Sequence, residues 1–212
     1  MEELDLLKKD WKKNENAFPK ITEKEIYAML HKKSSSIVKW IFIISILEIL
    51  FWSVISFFTA DENYLKTLES YHIATLISIF TVINNVVILS FIFLFYINFK
   101  RINTTDNVKS LMKSILKTRK TVQYYIWYNL AMIGTIFITI MIASFMYDEK
   151  FTRIYKVSGS DQSFMFWVLI IGSTIIFFAI LFGLFWLFYR LLYGFLLRRL
   201  YKNYEELKKI DL

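Results

Sequence analysis

The sequence predicts an all-α, polytopic membrane fold: four transmembrane helices with helical extensions into the cytoplasm, and both termini on that side. Three observations predict it. Apolar residues make up 56% of the 212 positions, against about 45–50% in an ordinary soluble domain, and the excess falls in four blocks. Each block reaches the roughly 20 helical residues that a hydrocarbon core requires. Basic residues collect in the segments that four alternating crossings would leave on one side.

The elements follow in order. Residues 1–36 form a polar N-terminal segment of amphipathic helices. Leu4, Leu6, Leu7 and Trp11 share one face, opposite Lys8, Lys9, Lys12 and Lys13, and Phe18-Pro19 ends that helix. Thr22-Glu23-Lys24-Glu25 reads as a capping box, with Ile21 and Ile26 as its hydrophobic staple. The helix so begun is expected to run through Ser34-Ser35-Ser36 into the first span, residues 37–60. This span reads as a retained anchor, because it follows some forty mostly polar residues and no small-residue cleavage site comes after it.

An outer loop at 61–73 leads to the second span, 74–99. The segment 100–124 is basic, with Lys100, Arg101, Lys109, Lys113, Lys117, Arg119 and Lys120 against Asp106. Thr104, Thr105 and Asp106 are its candidate N-caps, and Val108, Leu111, Met112, Ile115 and Leu116 mark its apolar stripe. No Gly or Pro interrupts it before the third span, 125–147. A second outer loop, 148–163, holds the turn chemistry Val157-Ser158-Gly159-Ser160-Asp161. The fourth span, 164–189, is expected to continue unbroken into a basic C-terminal helix, 190–212. The formal charge of +8 is thus accounted for by topology and anionic headgroups rather than by nucleic acid.

Catalytic chemistry is hard to assemble from this composition. There is no Cys, and the two histidines, His31 and His72, fall on opposite sides of the membrane. No HExxH is present, and the glycines are too scattered for a phosphate loop. The reading is therefore no enzyme, no catalytic residue, no metal and no cofactor. Glu48 is the one acidic residue within a span. An ionisable side chain at that depth costs about 2.5–3.5 kcal/mol on insertion scales and should face protein or water.

Ser45, Glu48, Trp52 and Ser56 share a stripe of the first span, while Ser78, Thr81 and Asn85, with Asn84 beside them, form one on the second. At about 1.5 Å per residue, Glu48 lies some 9 Å from Asn85 in depth. Asn129 and Tyr128 on the third span are nearer, and are its expected hydrogen-bond partners. Glu48, Asn84, Asn85 and Asn129 are the candidate intramembrane polar residues. The fourth span offers little polarity beyond Ser173 and Thr174.

Leu6-Leu7-Lys8-Lys9-Asp10-Trp11, Glu25-Ile26-Tyr27-Ala28-Met29 and the run from His31 to Trp40 resemble a family of uncharacterised bacterial four-span proteins. The resemblance covers the whole chain and is strongest over the first fifty residues. It implies a multi-pass protein of the bacterial inner (plasma) membrane. Members are sometimes labelled carotene monooxygenases, a label these residues contradict: such oxygenases hold iron with four histidines on a β-propeller, and this chain has two histidines. Some relatives are encoded near alternative sigma factors, which would suit a membrane-tethered regulator.

The leading expectation is a non-enzymatic adaptor or regulator whose basic cytoplasmic helices bind a soluble protein, such as a sigma factor. Leu4, Leu7 and Trp11 have the i, i+3, i+7 spacing of groove-seated anchors. The alternative is a small channel or transporter subunit using Glu48, Asn84 and Asn85. Expected partners are membrane lipids and a cytoplasmic protein, with no nucleic acid; assembly into a homo-oligomer stays open.

Overall fold

In the computed structural model, the described residues are 22–59, 61–105, 107–148 and 163–210. They form six helices: α1 (Glu23–Thr59), α2 (Glu62–Ser70), α3 (Ala74–Asn103), α4 (Val108–Tyr147), α5 (Ser163–Leu192) and α6 (Gly194–Ile210). Four of them, α1, α3, α4 and α5, are long and apolar enough to cross a membrane. Neighbours run antiparallel. The start of α1 meets the end of α3, where Tyr27 donates to the Thr105 carbonyl at 3.0 Å and His31 Nε2 donates to the Ile102 carbonyl at 2.7 Å. At the opposite end, the start of α3 meets the end of α4.

The capping box forms as expected. The Thr22 backbone N–H donates to Glu25 at 2.8 Å and the Glu25 N–H donates to Thr22 Oγ1 at 3.3 Å, so each satisfies an orphan donor of the other. Ile21, its staple partner, lies outside the described residues. From there α1 runs through the three serines without interruption, and α4 likewise runs unbroken from the basic segment into its apolar run.

Three expectations need correction. The cap of α4 is Asn107, whose side chain accepts from the Lys109 N–H at 2.9 Å. Thr104 instead closes α3, because its own N–H returns to the Lys100 carbonyl. The connection 61–73 is largely helical, since Asp61 caps α2 by accepting from the Tyr64 N–H at 2.8 Å. The fourth span does not continue unbroken: the helix turns at Tyr193 and restarts at Gly194.

The α2–α3 corner is a Schellman motif. His72 takes the left-handed position (φ 56°), its N–H bonds to the Glu69 carbonyl, and the Ile73 N–H reaches the Leu68 carbonyl. Glycine is usual at that position. Here the His72 ring meets the Tyr147 ring edge-on at 5.2 Å, and the neighbouring Tyr71 hydroxyl donates to Asp148 at 3.0 Å. Both contacts tie the corner to the end of α4.

Packing is uneven along the bundle. The main core lies in its basic half, with Leu30, Ile41, Ile102, Leu111, Leu200 and Leu207 among its buried residues. The partial helix α6 completes it, lying against α1 and α4, and the Asn203 amide donates to Ser34 Oγ at 3.1 Å between buried side chains. A small second core (Leu68, Ile73, Ile77 and Ala143) closes the other end. Between them the helices stand apart. On α1, no residue from 49 to 59 is buried, and Phe57 is 81% exposed. Such apolar exposure would be unsustainable in water and is ordinary against lipid.

Candidate functional site

Where the main core stops, a chamber of about 950 Å³ begins. Glu48 and Trp52 of α1, Asn84 and Asn85 of α3, Asn129 of α4 and Tyr189 of α5 contribute to its wall. All four candidate intramembrane polar residues therefore face one space. Thr81 and Ser56 from the two predicted stripes join them, whereas Ser78 is exposed and bonded to its own helix at the Ala74 carbonyl. The remaining wall is mostly Ile, Leu, Met and Phe side chains. From Glu48 to Phe57 the chamber extends along α1 by nine residues, about 13 Å.

Glu48 forms the floor and is 6% exposed. Its hydrogen bonds differ from those expected. Neither Asn129 nor Tyr128 is the partner. Instead the Tyr189 hydroxyl donates to Oε1 and the Tyr193 hydroxyl donates to Oε2, both at 2.7 Å. Asn129 donates to the Tyr125 carbonyl one turn earlier on its own helix at 2.8 Å, and the Tyr128 hydroxyl is buried without a partner. Among the described residues, no Lys, Arg or His forms an ion pair with Glu48. The carboxyl is satisfied entirely by neutral hydroxyl donors, as a buried polar group must be if its desolvation is to be offset.

The tyrosines are held by one another. Tyr189 and Tyr193 stand one turn apart with rings stacked at 6.3 Å, and Tyr125 sets its ring edge-on to both, at 6.4 and 5.9 Å. Phe91 and Phe95 of α3 meet the same Tyr125 ring at 5.5 Å. This cluster stands between the chamber and the basic half of the bundle.

Sequence reading missed it because Tyr193 falls beyond the apolar run, after Arg190, where it reads as part of a cytoplasmic helix. The i, i+4 spacing sets both hydroxyls on one face at the level of Glu48. The available signal was the pair itself: two tyrosines at i, i+4 near the basic end of a span otherwise poor in polar groups.

A second, shallower cleft lies at the basic end, lined by Arg101 of α3 and by Lys113, Lys117 and Lys120 of α4. Nearby, the Arg119 guanidinium sits 4.5 Å over the Tyr201 ring of α6. Leu4, Leu7 and Trp11, the expected partner-binding anchors, lie outside the described residues.

Fold and site together describe a helical bundle with four helices able to span a membrane, built around the buried Glu48 carboxyl and a mostly apolar chamber. Residues 24–212 match the family described as domain of unknown function (DUF8845), and the chain belongs to that family. The match leaves Leu6 to Trp11 outside it, although the sequence resemblance was strongest over the first fifty residues. No curated protein and no solved structure matches the chain.

Proposed function

We propose that this chain is a non-enzymatic, multi-pass protein of the bacterial plasma membrane, with both termini cytoplasmic, that takes a small solute into its intramembrane chamber as a channel or transporter subunit does. The observation that carries this reading is the convergence of Glu48, Asn84, Asn85 and Asn129 on one cavity. Interhelical glue accounts for the bonds of Glu48 to Tyr189 and Tyr193, but among the described residues none of the three amides bonds to a neighbouring helix. Here three amides and a carboxyl face a shared space of ligand size, with the apolar walls and few polar groups typical of small-molecule sites. The chamber supports this reading, the alternative in the sequence analysis, ahead of the adaptor.

The tyrosine cluster supplies the closed side of such a site. A solute that competes for the Glu48 oxygens would release Tyr189 and Tyr193, and with them the junction between α5 and α6. In proteoliposomes, wild-type protein should carry a solute or ion flux that Glu48→Gln abolishes. A flux indifferent to that change, or none across a panel of ions and small solutes, refutes the reading.

The orientation has its own test. The chain contains no Cys, so single cysteines at Asn63 and Lys109 can be labelled from outside intact cells with an impermeant maleimide. Asn63→Cys should label and Lys109→Cys should not.

A second reading, the adaptor or regulator, is favoured by the packed basic end, where α6 joins α1 and α4 beside a cleft of cationic side chains. Anionic headgroups would neutralise part of that charge, and a soluble protein such as a sigma factor would dock on the remainder. Leu7→Ala with Trp11→Ala should then release a co-purifying protein while the chain stays inserted. A composition-preserving shuffle of residues 2–16 that retains the partner would leave that segment as a lipid anchor.

A further inference from the structure

The chemistry of the chamber narrows what it can hold. Among the described residues its one acidic side chain is Glu48, and no Lys, Arg or His lines it. An anion would find no counter-charge. A bare inorganic cation would fare little better. It needs about six oxygen ligands at short range, but both Glu48 oxygens are already engaged, and among the described residues no group of three or more His, Asp or Glu is placed to hold a metal. Beyond the few Asn, Ser and Thr side chains it would also face walls of Ile, Leu, Met and Phe that return nothing for its lost hydration.

The aromatic side chains point to a different ligand. Trp52 and Phe185 lie with ring centroids 5.8 Å apart in the chamber wall, and Tyr125 and Tyr189 present rings beside the carboxyl. Aromatic faces attract a cation most strongly where water is excluded, and they suit a cation whose charge is spread over organic substituents. Such an ion loses little hydration on entry and gains apolar burial against the walls. A chamber of about 950 Å³ is large enough for a drug-sized molecule.

We propose that the chamber binds a lipophilic organic monocation, a substituted ammonium or phosphonium, with its charge against Glu48 and its apolar groups among Trp52, Phe185 and the aliphatic wall. This inference rests on the chamber being a small-molecule site and names the class of molecule. The charge of the ligand replaces the two tyrosine hydroxyls, wholly or in part, as the partner of the carboxylate. The aliphatic and aromatic walls then select for hydrophobic substituents over hydrated amines.

Tetraphenylphosphonium is a direct probe, because tetraphenylborate has nearly the same size and shape with the opposite charge. Full-length protein in nanodiscs of uncharged lipid should bind tetraphenylphosphonium saturably, near one per chain, by equilibrium dialysis against empty nanodiscs. Glu48→Gln should weaken this at least tenfold, and Trp52→Leu, at a partly exposed position, several-fold. Tetraphenylborate should not compete. Binding unchanged in both variants, or equal competition by tetraphenylborate, would mean hydrophobic partitioning and overturn the proposal. If tetraphenylphosphonium fails to bind while proteoliposomes show a Glu48-dependent flux of another solute, the cation assignment alone falls. If neither is seen, the chamber is not a solute site at all.

Discussion

Replacing Tyr193 by Phe isolates the interaction on which the site is built. Tyr193 is fully buried, its hydroxyl donates to Glu48 Oε2 at 2.7 Å, and its ring meets Tyr125 at 5.9 Å and Tyr189 at 6.3 Å. Phenylalanine keeps those ring contacts and removes only the donor. Interhelical hydrogen bonds in membrane proteins average about 0.6 kcal/mol and reach about 1.7, while bonds to charged acceptors in soluble proteins run to about 1.5–3 kcal/mol. A short bond to a buried carboxyl whose other oxygen is held by Tyr189 belongs in the upper part of the first range, so Tyr193→Phe should cost about 1–1.7 kcal/mol.

Tyr189→Phe should cost a similar amount, and the double variant more than the sum, because it leaves Tyr125 as the one hydroxyl beside the buried carboxyl. The measurement is reversible unfolding in mixed micelles, with Tyr193→Phe, Glu48→Gln and their combination forming a double-mutant cycle. Glutamine can still accept from one tyrosine and donate to the other, so the single Glu48→Gln change should be mild. Coupling energies below about 0.3 kcal/mol for both tyrosines, which is within additivity for independent sites, would show that these hydrogen bonds do not hold α5 to α1.

Three further outcomes are expected. Asn203→Ala should destabilise the basic half by about 1 kcal/mol, a typical net value for a hydrogen bond, by deleting the buried Asn203–Ser34 bond; the proteolysis rate of α6 would report it. At the α2–α3 corner, His72→Gly should stay within about 1 kcal/mol of wild type, trading left-handed strain for the lost Tyr147 contact. His72→Val should cost about 2 kcal/mol, because a β-branched residue disfavours that conformation, and thermal unfolding separates the two. In the capping box, the Thr22 backbone N–H and hydroxyl hold the Glu25 carboxyl below its ordinary value of 4.5. A lowered folded pKa means that the box is intact at neutral pH and opens as pH falls through and below the carboxylate range. The Thr22 amide resonance should shift over that interval, and Glu25→Gln should remove the shift.

The apolar blocks by themselves determined that four helices would be long enough to cross a bilayer, because burial in hydrocarbon imposes a length and composition that no tertiary contact needs to specify. The same holds for the Thr22–Glu25 box and for the uninterrupted helices through Ser34–Ser36 and into the third span, which are local matters of propensity and capping. The sequence also marked Glu48 as exceptional, since a lone carboxyl in an apolar run is costly wherever it points.

What surrounds Glu48 was beyond such reasoning. Depth arithmetic along straight helices favoured Asn129 and Tyr128, but a partner is chosen by rotation, tilt and helix ends as well as depth. The left-handed His72 meets Tyr147 of α4, a neighbour that local preference does not foresee, while the capping of α4 by Asn107 is a local choice among several adjacent candidates. The packing of α6 against α1 and α4 fills the basic half with core. The other half, lacking a comparable filler, stands open as the chamber. That division between a packed end and an open one is a property of how the helices meet, and no single helix carries it.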